Sequence, residues 1–165
     1  MTTLPRGEAA EVHRVARRRR AVAAAGAVAA GLLVLSACDK PTPTATITVG
    51  RDTVSSEAVC YNDGKALDAK ALTECAKKTG DAKAISVGED STVRIGVDPK
   101  IADAGWAVLV NGRPFTSLSK KTYRTLPGNA FFNEQYGTGG DSNTLVIQMG
   151  SNPTKGVWSF KLKKA

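Results

Sequence analysis

Few residues of this 165-residue sequence are of types that do chemistry. It holds three cysteines, Cys38, Cys60 and Cys75, and a single histidine, His13, beside an arginine-rich segment near the N-terminus. No imidazole follows residue 13, which removes Ser-His-Asp and Cys-His catalysis, histidine-ligated metals and histidine general bases from the rest of the chain. Carboxylates remain. Glu89-Asp90 sits in a turn, where neighbouring side chains are solvated rather than convergent, and Asp98 and Asp103 flank a loop beside Trp106. A calcium ion would want six or more oxygens there, and Asp98-Pro99 reads more simply as a turn starter. Gly137-Thr-Gly-Gly-Asp-Ser142 lacks the Lys-Ser/Thr and the following helix of a phosphate loop, and no Gly-x-Ser-x-Gly elbow occurs. The reading is therefore not an enzyme, with no cofactor and no metal.

Cys38 is the exception. The first twenty residues carry Arg6, Arg14 and Arg17 to Arg20, and an uncharged run rich in Ala and Gly extends from Ala21 to Ala37. A positive segment before a short apolar core is the build of a secretory signal. As a membrane-spanning helix the run would be at the short limit. The junction favours cleavage: Leu35-Ser36-Ala37-Cys38 resembles the lipobox of bacterial lipoproteins, a Leu and two small residues before a Cys. Small residues let a peptidase approach the backbone, and a thiol is needed to take diacylglycerol as a thioether. The expectation is a signal peptide over 1–37 and a lipid anchor on Cys38, holding the chain to the outer face of the cell membrane. The general secretory route is favoured over twin-arginine export, because the residues around Arg17 to Arg20 fit the latter poorly.

Export constrains the other cysteines. Cys60 and Cys75 form a single remaining pair in an oxidising compartment and are expected to be bridged, against the alternative of two free thiols. Six of the 23 basic residues and two of the 15 acidic ones precede Cys38, so half of the formal +8 belongs to the leader and +4 to the remainder. That mild, scattered charge outside the cell argues against nucleic acid. Lys161, Lys163 and Lys164 read as a solvated strand end before they read as a contact for head groups or wall polymers.

The elements follow from periodicity. Residues 38–44, with alternating Pro and Thr after the lipidated Cys, predict an extended spacer, and 45–165 a single domain. Strands are predicted at 45–49, 59–61, 85–87, 93–97, 106–110, 122–126, 145–149 and 158–162, where apolar residues alternate or run together. Asn111-Gly112 is a strong hairpin signal. Residues 66–79, with Leu72, Cys75 and Ala76 at helical spacing and Gly80 after them, predict one short helix. The fold expected is mainly β, a single antiparallel immunoglobulin-like β-sandwich with one short disulfide-linked helix; a small open barrel is the second choice. Both cysteines precede Trp106, so the bridge is local rather than a pin between sheets. Trp106 and Trp158 read as core.

The layout from 35 to 110 resembles a family of small actinobacterial lipoproteins of unknown function: a lipobox, a Pro/Thr spacer, Val59-Cys60 with Cys75 nearby, and a strand-loop-strand ending in Trp106. The resemblance implies a cell-envelope location and a β-rich domain, and no functional residue beyond Cys38. The expected role is a non-enzymatic interaction module with an envelope protein or wall component as partner, or alternatively a small-ligand or glycan binder. The recognition loop is assigned to Phe131, Phe132, Tyr136 and Asp141, in which aromatics could dock a partner while the scaffold holds the loop; Phe131 and Phe132 could instead cover one end of the core.

Overall fold

The computed structural model describes residues 41–165. Alternating burial builds β1 (Ala45–Val49), whose Ala45, Ile47 and Val49 are buried while Thr46 and Thr48 face outward. β2 (Asp52–Ser56) folds back on β1 through a turn at Gly50. β5 (Thr92–Val97) lies on the other side of β1, and β8 (Tyr123–Pro127) beyond it, giving a four-stranded antiparallel sheet in the order β2-β1-β5-β8.

The second sheet is centred on β10 (Gly156–Lys164), β9 (Ser142–Met149) and β6 (Trp106–Val110). The two-residue β7 (Arg113–Pro114) follows β6 across Asn111 and Gly112, both at positive φ, as an Asn-Gly hairpin turn requires. The other edge of β10 is shared. β3 (Cys60–Tyr61) pairs antiparallel with its first residues, and β4 (Lys83–Val87) pairs parallel with Phe160 to Lys164. This is the one parallel pair among the described strands. It arises because β3 reaches β4 through a helix, a crossover that returns the chain in the opposite sense along the same edge.

That helix, α1 (Ala69–Lys78), starts where Asp68 accepts a hydrogen bond from the Ala71 amide at 2.7 Å. It ends in a 3-10 turn, Thr79–Asp81, which takes in Gly80 instead of stopping at it. The Cys60–Cys75 disulfide, with Cα atoms 5.8 Å apart, fastens α1 to β3. Bridging a loop of this size stabilises by roughly 3 kcal/mol, mainly by restricting the unfolded chain.

The inner faces of both sheets form one apolar core, with Trp106, Trp158, Phe131 and Phe160 as its largest fully buried side chains. Each indole N–H reaches a backbone carbonyl: Trp106 donates to Lys121 at 2.8 Å and Trp158 to Pro43 at 2.7 Å. A buried indole needs such a partner to offset its lost hydration. Along one side, β2 and β4 approach each other, and the Lys83 ammonium donates to the Ser55 carbonyl at 2.7 Å. The expected mainly β chain with antiparallel sheets and a disulfide-linked short helix is what the structure has; its strand order does not by itself assign the immunoglobulin-like arrangement. Two elements differ from expectation. β2 is a polar edge strand with only Val54 and Ser56 half-buried. The segment read as a loop after Asp98 is a short helix, α2 (Pro99–Ala104), with Pro99 in its first turn and Ile101 and Ala102 buried.

The sandwich has two ends. At the near pole β1 begins, β5 and β2 finish, α2 lies, and β6 and β8 start. At the far pole are the turns at Gly50, at Gly88 to Ser91 and at Asn111-Gly112, the segment from Gly128 to Asp141, and the end of β10.

Candidate functional site

The signal segment 1–37, the lipobox residues Leu35, Ser36 and Ala37, and Cys38 itself lie outside the described residues. What is described is how the following chain joins the domain. Thr42 Oγ1 accepts from the Ala58 amide at 3.1 Å. Pro43 is buried and its carbonyl takes the Trp158 indole. The Thr44 amide donates to Asp98 Oδ2 at 2.7 Å, and the Asp98 amide returns a bond to the Thr44 carbonyl at 3.1 Å. The spacer expected over 38–44 is therefore part of the fold from Thr42 onward. Asp98 is spent on holding that strap, and Asp103 is exposed on the helix that follows it.

The proposed recognition loop sits at the far pole and is more ordered than its composition suggests. Phe131 is fully buried, stacked on Phe115 with ring centroids 5.2 Å apart, so it is a core residue and not a contact surface. Phe132 is half-buried and packs against the same core. Tyr136 is 62% exposed, and Asp141 is exposed. The scaffold beneath them is polar and buried. Asn143 donates to the carbonyls of Phe131 at 2.7 Å and Thr138 at 2.9 Å, and its carbonyl oxygen accepts from the Asn111 amide group. Thr138 lies almost fully buried, and its hydroxyl lies 3.0 Å from both the Ala130 and Asn133 carbonyls. Gly137 adopts a left-handed conformation against the Arg113 side chain, where any Cβ would collide with the guanidinium. The result is a hydrogen-bonded shelf that carries Tyr136, with Arg113 against the neighbouring Gly137.

The structure adds a site that the sequence reading missed. An open groove of about 350 Å³ runs between α1 and the outer face of the β6-β9-β10 sheet. Leu72, Cys75 and Ala76 of α1 form one wall, and Leu109, Val146 and Val157 form the floor. Asn111, Gly112 and Thr144 line it at the far-pole end. The run from Trp106 to Val110 was the available signal. Its continuous hydrophobicity suggests cover on both faces, yet Ala107 and Leu109 are only half-buried, because α1 shields β10 and leaves β6 and β9 open.

The remaining candidates separate. Glu89 and Asp90 are exposed at the far pole, and Glu89 pairs with Lys164 at 2.7 Å. The hydrogen bond from Lys164, then its positive charge, hold the Glu89 carboxyl below its ordinary value; the same contacts raise the Lys164 ammonium. Lys161 and Lys163 are solvated on the outer side of β10. Among the described residues no three His, Cys, Asp or Glu side chains gather as a metal site, and no helix is long and apolar enough to cross a membrane. No family model, no curated protein and no solved structure matches the chain.

Proposed function

We propose that this chain is an exported lipoprotein, tethered by a diacylglyceryl group on Cys38 to the outer face of the cell membrane, and that its β-sandwich is a non-enzymatic module that captures an envelope protein. The observation that carries this reading is the separation of the two poles. The chain coming from Cys38 is strapped to the near pole through Thr42, Pro43 and Thr44, whereas the shelf bearing Tyr136 and Arg113 stands at the opposite end. A tether at one end and a preorganised, exposed aromatic at the other suit a protein that reaches outward to a partner. Tyr and Arg are the residue types that most often dominate such contacts. The likeness of residues 35–110 to small actinobacterial lipoproteins agrees with this location.

The test is a photo-crosslinking residue placed at Tyr136 of the full-length protein in its own cells, with Thr125 on the outer face of the four-stranded sheet as the control position. The reading expects one recurring envelope protein crosslinked from position 136, absent from 125, and lost when Cys38→Ala prevents lipidation. The same adducts from both positions, or none from 136, would remove it.

A second reading, capture of a small ligand, is favoured by the groove. Its volume falls within the roughly 300–1,000 Å³ usual for small-molecule sites. No aromatic ring lines it, so an apolar ligand suits it better than a sugar. Thermal stabilisation by a lipid or wall fragment that disappears in Val146→Trp, which fills the floor, would move the weight to this reading.

A further inference from the structure

Among the described residues the large apolar side chains left exposed are Leu118, Tyr123 and Tyr136. Tyr136 belongs to the far shelf. The other two lie at the near pole, on the single segment that leads into β8. Leu118, 47% exposed, sits over Gly105 at the start of β6, and Tyr123, 67% exposed, opens β8. Between them run Ser119, Lys120, Lys121 and Thr122, with both lysines exposed, and Lys100 is exposed on the neighbouring helix α2. A single exposed Leu would need no explanation. Here Leu, Tyr and three lysines share one end of the molecule, and it is the end to which the tether runs.

The length of that tether makes the arrangement consequential. From Cys38 to Thr42 the chain spans at most about 14 Å when fully extended. From Thr42 onward it is bound to the domain. Tyr123 heads a strand two places from β1, about 10 Å across the sheet at ordinary strand spacing. A lipidated Cys38 would therefore hold the near pole against the head groups, whatever else the domain does. Charge at the near pole is mixed, with Lys65, Lys100, Lys120, Lys121 and Lys155 at the same end as Glu57, Asp63, Asp68, Asp98 and Asp103, but Asp98 is engaged by the strap and Lys120 and Lys121 lie on the same segment as Leu118 and Tyr123.

Resting on the lipoprotein reading, we infer that the near pole is a bilayer-docking surface: Leu118 and Tyr123 enter the interfacial layer and Lys100, Lys120 and Lys121 engage anionic lipid head groups. Tyrosine suits that layer because its ring is apolar and its hydroxyl stays wet. Each lysine near an anionic surface shifts the balance between docked and lifted domain on the order of fivefold. The lipid then does more than retain the protein; it fixes which way the domain faces.

The experiment uses the mature lipoprotein purified from its membrane and reconstituted into phosphatidylcholine vesicles with or without phosphatidylglycerol. An environment-sensitive fluorophore is attached through Leu118→Cys, Tyr123→Cys or, as the far-pole comparison, Tyr136→Cys. Head-group spin-labelled lipid should quench the labels at 118 and 123 severalfold more than the label at 136. The difference should be larger with phosphatidylglycerol, and it should collapse in the triple variant Lys100→Glu, Lys120→Glu, Lys121→Glu. Intact mass read on every sample separates the two claims. Equal quenching at the three positions on protein that carries diacylglycerol overturns the docking surface and leaves the anchor standing. Protein whose Cys38 carries no lipid overturns the anchor, and this orientation with it.

Discussion

The strap at the near pole and the inside of the loop at the far pole are held by hydrogen bonds of different reach. At the near pole the partners are distant in sequence: Trp158 and Pro43 are 115 residues apart, and Thr44 and Asp98 are 54 apart. At the far pole the inside of the loop is held locally, Asn143 reaching Thr138 five residues away and Phe131 twelve away, while its ends are pinned by Gly128 to the Ser91 carbonyl, Asn129 to the Glu89 carbonyl and Lys164 to the Asp141 carbonyl. Long-range bonds between chain termini and core strands close the fold, so the near pole belongs to the cooperative unit. Local bonds organise a loop upon itself, so loss of the Asn143 bonds is expected to loosen the far shelf before the sheets.

The sharpest way to break this contrast is at Trp158. Trp158→Ala should cost about 3–5 kcal/mol, because it empties a fully buried indole site and frees the Pro43 strap. Trp158→Phe keeps most of the packing and removes only the bond to Pro43, so about 1–3 kcal/mol is expected. Denaturant midpoints measure both, and a global loss of similar size from the milder variant would show that the strap matters more than the packing.

At the other end, Asn143→Ala should cost about 2 kcal/mol, by leaving the Phe131 and Thr138 carbonyls without their donor. Its signature is local. Amide exchange should quicken across 128–141 and remain slow in β1 and β5. Uniform acceleration through both sheets would mean that the far pole is as integral to the fold as the near one.

The smallest effect is expected at Glu89 and Lys164. Both are solvent-exposed, so Glu89→Gln should barely move the unfolding midpoint. The carboxyl pKa is lowered in the folded protein, so whatever the pair contributes is present above the unfolded-state glutamate pKa and fades as pH falls through the folded one. For Lys164, whose value is raised, the contribution is present below the ordinary lysine pKa and is lost as pH climbs through the folded one. Side-chain NMR titration of Glu89 should place its midpoint below that of an unpaired glutamate, and added salt should bring it back.

Much of the fold was legible because it is written in short-range pattern. Ile47 and Val49, or Val93, Ile95 and Val97, alternate because one face of each strand is buried, and Asn111-Gly112 marks its turn because few other pairs tolerate positive φ twice. β2 escaped because an edge strand of Asp, Thr, Val, Ser and Ser carries almost no apolar alternation. α2 escaped because six residues after Asp98-Pro99 are too few to show a helical period. The loop aromatics were only half legible. Composition cannot tell Phe131, which fills the core, from Tyr136, which leaves it.

The sequence by itself determined the β-rich architecture, the pairing of Cys60 with Cys75 and the burial of both tryptophans, since each follows from local alternation, from a cysteine count or from size and hydrophobicity. Only the tertiary structure decided that Thr42 to Thr44 are bound, that a groove opens beside α1, and that the strap and the shelf lie at opposite poles. Those facts depend on which strands lie side by side and in what sense, and hydrophobic periodicity along one chain is blind to that choice.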